Sequence, residues 1–94
     1  MDPDVTDNLT DARYELYAQG LTAVLQYQLR GDEIVLLHTE VPPALGGRGI
    51  ATRLIRSALA GAHERALRVV PVCPFVKAHL AKYPEEASPP SCES

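Results

Sequence analysis

Ninety-four residues suffice for one domain with a single core, and 46% hydrophobic with 22% charged residues is the composition of a soluble globular chain. A formal net charge of −3 argues against a nucleic-acid-binding surface as the main function, and no apolar run is long enough to span a membrane. The acidic, polar start MDPDVTDNLT is not signal-like, so the sequence reads as cytoplasmic.

In chain order, residues 1–10 read as a flexible N-terminal arm, 11–85 as the folded domain and 86–94 as a disordered tail. Tyr14, Leu16 and Ala18 alternate with Arg13, Glu15 and Tyr17, the pattern of a half-buried strand. Gln19-Gly20 punctuates it, and Leu21 to Arg30 follows as a second strand with Leu25, Tyr27 and Leu29 on one face. The RGDE stretch at Arg30 to Glu33 is a hairpin turn. Ile34 to Val41 opens on a continuous apolar run, as expected of a strand covered on both faces. From Gly49 to Leu67 the apolar residues Ile50, Leu54, Ala58 and Ala62 recur every four positions, joined by Ile55, Leu59 and Ala66, which predicts an amphipathic helix. A short strand, RVVPVC, spans Arg68 to Cys73, and a last helix begins at Phe75 and stops near Lys82, before Pro84. The segment EEASPPSCES is too polar and proline-rich to pack. The predicted fold class is α/β (α+β): an antiparallel meander of three strands, one βαβ crossover and a closing C-terminal helix.

The connection GluValProProAlaLeuGlyGlyArgGly, from Glu40 to Gly49, places three glycines in four residues at the mouth of that helix. A helix leaves its first N–H groups unsatisfied, and no Ser, Thr, Asp or Asn precedes this one as a cap. Free N–H groups at the positive end of the helix dipole make an anion site, to which Arg48 adds a cation. A plain glycine-rich turn is the structural alternative. No Gly-Lys-Ser/Thr follows the glycines and no Gly-x-Gly-x-x-Gly is present, so neither a Walker loop nor a dinucleotide fingerprint fits.

Gly46-Gly47-Arg48-Gly49-Ile50-Ala51 resembles the acetyl-CoA loop of the GCN5-related N-acetyltransferases, Gln/Arg-x-x-Gly-x-Gly/Ala, at its fourth and sixth positions. With VVPVCPFV and a Tyr-Pro-Glu ending, the sequence is similar to the small single-domain branch of that superfamily over roughly Tyr14 to Glu85. The resemblance implies a minimal acetyltransferase fold whose two parallel strands splay apart to admit the pantetheine of acetyl-CoA. The backbone N–H groups of Gly47, Arg48, Gly49, Ile50 and Ala51 would hold the pyrophosphate, and Val41 would pair with the pantetheine arm. Gly46 stands where the family usually has Gln or Arg, so that side chain's contact is missing. Pro71 supports splaying on its own account, because a proline inside a strand cannot donate a ladder bond.

Acyl transfer needs a deprotonated amine, a stabilised oxyanion and a protonated leaving thiolate. His38 and Glu40 lie two apart, on one face of a strand near its carboxyl end, and either could accept the amine proton. As structural residues they would only pack and hold the loop. Cys73 ends the neighbouring strand, where the branch resembled also has a Cys, and it could protonate the thiolate or accept the acetyl group, or else be a small buried hydrophobe. His79 or Tyr83 on the last helix would take the place of the Tyr acid that many relatives carry, and His63 reads as a solvated helix residue. The two cysteines form no disulfide framework, and no zinc-type spacing occurs, so no metal is expected. The expected activity is acetyl-CoA-dependent N-acetyl transfer to a protein, peptide or small amine by a monomer or weak dimer. The alternative is an acyl-CoA-binding or interaction module with little turnover.

Overall fold

Alternating apolar side chains build a sheet that begins earlier in the chain than its composition suggests. The computed structural model describes residues 4–87. Five strands, β1 (Val5–Asn8), β2 (Arg13–Ala18), β3 (Leu21–Arg30), β4 (Glu33–Glu40) and β5 (Arg68–Pro71), form one sheet in sequential order. The first four are antiparallel neighbours and β5 lies parallel to β4. Between these two run α1 (Ile50–Glu64), preceded by a 3₁₀ turn at Pro43–Leu45, and after β5 come α2 (Pro74–Lys82) and a 3₁₀ turn at Pro84–Ala87. The mixed sheet with a parallel crossover and closing helix is the fold class expected.

The meander has four strands rather than three, because the segment read as a loose arm contributes β1. Val5 is the one apolar residue of that strand, and it sits 8% exposed in the core opposite Leu16. Asp7 accepts a 2.6 Å hydrogen bond from the Tyr27 hydroxyl and pairs with Arg65 at 3.3 Å. The Asn8 side-chain oxygen accepts from the Asp11 N–H, closing the turn into β2. Polar anchoring therefore does what hydrophobic periodicity does elsewhere. The chain's far end departs from expectation in the same way, since Glu86, placed in the tail, bonds to His79 and pairs with Arg56. The rest of the expected tail, residues 88–94, lies outside the described residues.

Helix α1 lays Ile50, Leu54, Ile55, Ala58, Leu59 and Ala62 on the sheet, as its spacing requires. It stops three residues short of the predicted Leu67. The N–H of Leu67 returns to the Ala62 carbonyl at 2.8 Å and that of Ala66 to His63 at 3.2 Å, a Schellman closure with Ala66 in the left-handed conformation at φ 55°. Both helices pack on the same face, with Cys73 and Val76 joining the core under α1. The opposite face carries no helix among the described residues, contrary to the two-sided cover expected from Ile34 to Leu37. Val24 and Val35 on that face are still only 7% exposed, whereas Leu37 is 39% exposed.

Candidate active site

The parallel pair β4–β5 is in register from Glu33↔Arg68 to Leu36↔Pro71 and then parts. The Leu36 carbonyl takes the last two bonds, from the N–H groups of Val72 at 3.0 Å and Cys73 at 2.9 Å. Beyond it β4 continues through Glu40 paired with β3 alone, so the strands form a fork. Pro71, without an N–H, sits at the last paired position, where a missing donor costs nothing.

A bulge sets what faces into the fork. Gln26 pairs with His38 and Tyr27 with Leu36, leaving Leu37 as an extra residue on β4. Strict alternation would have kept His38 and Glu40 on the core face with Ile34 and Leu36. The extra residue instead turns Thr39 inward opposite Leu25 and sends His38 and Glu40 to the uncovered face, where both are exposed. The two predicted base candidates do share a face, as expected, but it is not the face of Cys73.

Cys73 is buried at 1% exposure and forms the N-cap of α2, with Pro74 in the first turn. Its sulfur lies 3.2 Å from the Thr39 hydroxyl, which is itself buried. Burial pushes the thiol up, but the Thr39 hydroxyl and the N–H groups of Val76 and Phe75 at the helix start outweigh it and hold Cys73 below the ordinary thiol range. Thr39 was absent from the sequence-derived candidates, and the signal for it is the bulge, which apolar spacing does not announce.

The glycine loop starts from Leu45, which is fully buried and anchors the 3₁₀ turn. The Gly46 N–H is spent on Pro43 at 3.0 Å. From Gly47 onward the situation changes: among the described residues, the N–H groups of Gly47, Arg48, Gly49, Ile50 and Ala51 have no hydrogen-bond acceptor. Gly47 at φ 76° and Gly49 at φ 71° take left-handed backbone, and Gly49 is the helix N-cap with no side-chain cap. A Cβ at either position would meet nothing within 4 Å, so these glycines are set by backbone shape rather than by crowding. The Arg48 guanidinium reaches the β2–β3 turn, where the Gln19 amide oxygen accepts from it at 3.1 Å once the amide is turned to match. Arg48 has no acidic partner among the described residues.

Val41, Gly46, Gly47, Gly49, Ile50 and Ala51 line one cavity of about 250 Å³ together with Phe75 at the start of α2. A second hollow of about 240 Å³ between α1 and α2 shares Ala51, Thr52 and Phe75 with it. His79 borders the second hollow, 7% exposed, and its Nε2 is 2.7 Å from Glu86. It is thus engaged in holding the C-terminal turn. Tyr83 packs against it at 5.0 Å between ring centres and lies under the Arg56 guanidinium. His63 is not the solvated residue expected, since its Nε2 is buried with no hydrogen-bond partner among the described residues. Nor do any three His, Cys, Asp or Glu side chains among the described residues come together as metal ligands would.

Comparison with known proteins agrees with this geometry. Residues 13–88 match the family model of the GCN5-related N-acetyl-transferases. Over 63 residues, 66% of this chain, the sequence is 43% identical to Protein NATD1 of Bos taurus and 41% identical to Protein NATD1 of Homo sapiens. The match spans 56% of the length of either relative. The fold superposes on the solution structure of a GCN5-like protein from Staphylococcus aureus with a TM-score of 0.69 at 23% identity, covering 90% of this chain and 86% of that one. The chain belongs to the GCN5-related N-acetyltransferase family.

Proposed function

We propose that this protein transfers an acetyl group from acetyl-CoA to an amine that approaches from the uncovered face of the sheet. The observation that carries the reading is one cavity lined by Val41 just past the end of β4, by Gly47, Gly49, Ile50 and Ala51, and by Phe75, two residues after Cys73 at the root of the fork. The N–H groups of Gly47 to Ala51 have no acceptor among the described residues. The N–H groups and the helix dipole suit the pyrophosphate, and Arg48 adds charge that no carboxylate of the described residues cancels. The Val41 backbone continues β4 beside the cavity, placed to pair with the amide-bearing arm. Bound acetyl-CoA supplies an activated acyl thioester. The chain contributes orientation, a sulfur at the root of the fork, and His38 and Glu40 as exposed proton acceptors where an incoming ammonium would arrive. The uncovered face suits an acceptor carried by another molecule, such as a protein or peptide amine.

A second reading, acyl-CoA binding with little turnover, draws on a specific observation as well. Neither His38 nor Glu40 shares the face of Cys73, and His79 is committed to Glu86.

Calorimetry with acetyl-CoA and mass spectrometry of an amine panel separate the two. Both readings expect binding, and only the first expects acetylated amine. Gly49→Glu puts a carboxylate at the helix N-terminus in a left-handed position and should weaken binding by more than about tenfold. Gly49→Asn, which tolerates that backbone, should keep most of it. Equal affinity in the Glu variant would remove the loop as the anion site.

A further inference from the structure

Beyond Leu36 the two strands of the fork share no ladder bond, so what fixes them relative to each other must involve a side chain. Among the described residues, one side-chain hydrogen bond spans the fork: Thr39 Oγ1 on β4 to Cys73 Sγ on the β5 side, 3.2 Å. Both groups are more than nine-tenths buried, at 4% and 1% exposure. The bulge at Leu37 exists in the same strand, and without it Thr39 would face away from the sulfur and His38 would take its place.

We propose that Thr39 is a positioning residue, whose hydroxyl donates across the fork to Cys73 and holds the sulfur aimed at the point where the strands part. The proposal rests on the acetyl-transfer reading for what the sulfur is aimed at, but not for the contact itself. Burial alone would keep the sulfur as a neutral thiol, because a buried anion is costly. Four donors converge on Cys73 to oppose that: the Thr39 hydroxyl, the Thr39 N–H, and the N–H groups of Phe75 and Val76 at the head of α2. The helix supplies two of these and the backbone at 39 a third whatever the side chain there, so the Thr39 hydroxyl is the donor that the sequence can add or remove. A sulfur whose thiolate form these donors favour is better suited to attack a thioester than to protonate a leaving group. In that step the bond from Cys73 sulfur to the acyl carbon forms as the thioester's own C–S bond breaks, and the electron pair departs with the leaving thiolate. Of the titratable groups on the packed elements, His38 and Glu40 of β4 face the other side of the sheet and Glu33 is paired with Arg68, while Lys77 and Lys82 of α2 are exposed and His79 is bonded to Glu86. On α1, Arg53 and Arg56 are paired with Asp4 and Glu86.

The test uses the full chain with Cys92→Ser, so that Cys73 is the one thiol, and follows thiolate ultraviolet absorbance against pH in the absence of any ligand. Thr39→Val removes the hydroxyl at constant shape, Thr39→Ala removes it with more room, and Thr39→Ser keeps it. Loss of one hydrogen bond to a thiolate should lower the thiolate fraction near neutral pH by about three- to tenfold in the Val and Ala variants, with Ser restoring it. Circular dichroism identifies any variant that fails to fold, and the Ala form decides if Val does not. A Cys73 midpoint unchanged in the folded Val or Ala variant would overturn the proposal. Intact-mass detection of an acetyl group on Cys73 after mixing with acetyl-CoA keeps the two readings apart. A shifted midpoint with no acetyl-cysteine in any form supports the positioning role and counts against transfer through the sulfur. Acetyl-cysteine forming equally in all forms, with an unmoved midpoint, overturns the positioning role and leaves transfer standing.

Discussion

Arg48 brings a positive charge to the glycine loop and, among the described residues, rests its guanidinium on the neutral Gln19 amide rather than on a carboxylate. A neutral partner holds the side chain in place and leaves its field available to an anion. Arg48→Ala should therefore weaken CoA binding by about 1–2 kcal/mol, in the range of a hydrogen bond to a charged group. The loss should shrink as salt rises, since an exposed charge is screened. Gln19→Ala removes only the tether and should cost less. A salt-independent loss in Arg48→Ala, measured by calorimetry, would assign the residue a packing role instead. At this scale the sequence was legible wherever chemistry and backbone demand coincide. Gly47 and Gly49 take the left-handed backbone that favours glycine, and Cys73 stood out in an apolar strand beside two prolines. Thr39 carried no such mark, because its inward direction depends on one inserted residue, Leu37, rather than on its own type.

The elements show the same division. Strand alternation located β2 and β3, the continuous apolar run β4, the four-residue apolar repeat α1 and the bounding prolines α2, and the Gln19-Gly20 pair marked the β2–β3 turn. β1 was hidden because a strand with a single buried apolar residue has no periodicity to read, and its partners Tyr27 and Arg65 lie 20 and 58 residues from Asp7. One element-level conflict in the sequence turns out to be a fitted contact. Gly61 sits inside α1, where glycine costs roughly 1 kcal/mol relative to alanine. The Tyr14 hydroxyl occupies the space a Cβ would need there, and the Tyr14 ring is held by burial and by Tyr27 at 5.5 Å between ring centres. Gly61→Ala should therefore destabilise the protein by about 1–3 kcal/mol, against the helix-propensity expectation. In a Tyr14→Phe background, which vacates the space, the same substitution should become neutral or stabilising. Urea denaturation of the four proteins of this cycle gives the coupling, and additive effects would show that the hydroxyl is not the obstacle.

For the whole molecule, the helices cover one face of the sheet and two tyrosines tie the sheet's first strand beneath them. Tyr27 donates its hydroxyl to Asp7 at 2.6 Å, and Asp7 in turn pairs with Arg65 at the end of α1, so β1, β3 and α1 meet at one carboxylate. Burial first, then the Asp7 hydrogen bond and charge, drive the Tyr27 phenol well above its ordinary range. Burial first, then the Asp7 charge, push Tyr14 up to about 12, against the smaller opposing effect of Arg65. Both phenols are stabilised in their protonated form by folding. Their contribution is therefore complete below the unfolded phenol range, about pH 10, and is lost as pH rises through the folded values, about 12 for Tyr14. Thermal unfolding should show stability falling steeply across that alkaline window, with phenolate absorbance from these two side chains appearing together with the loss of structure. Tyr27→Phe deletes the hydrogen bond to the Asp7 carboxylate and should lower stability near neutral pH by about 1.5–3 kcal/mol. Because the unfolded wild type is stabilised as its Tyr27 phenol ionises, and the Phe variant has no such phenol, the gap between the two proteins should narrow as the pH climbs beyond about 10. A gap that stays constant through the alkaline window would mean that Tyr27 stabilises the fold by packing alone, and the junction of β1, β3 and α1 would then owe nothing to the phenol's proton.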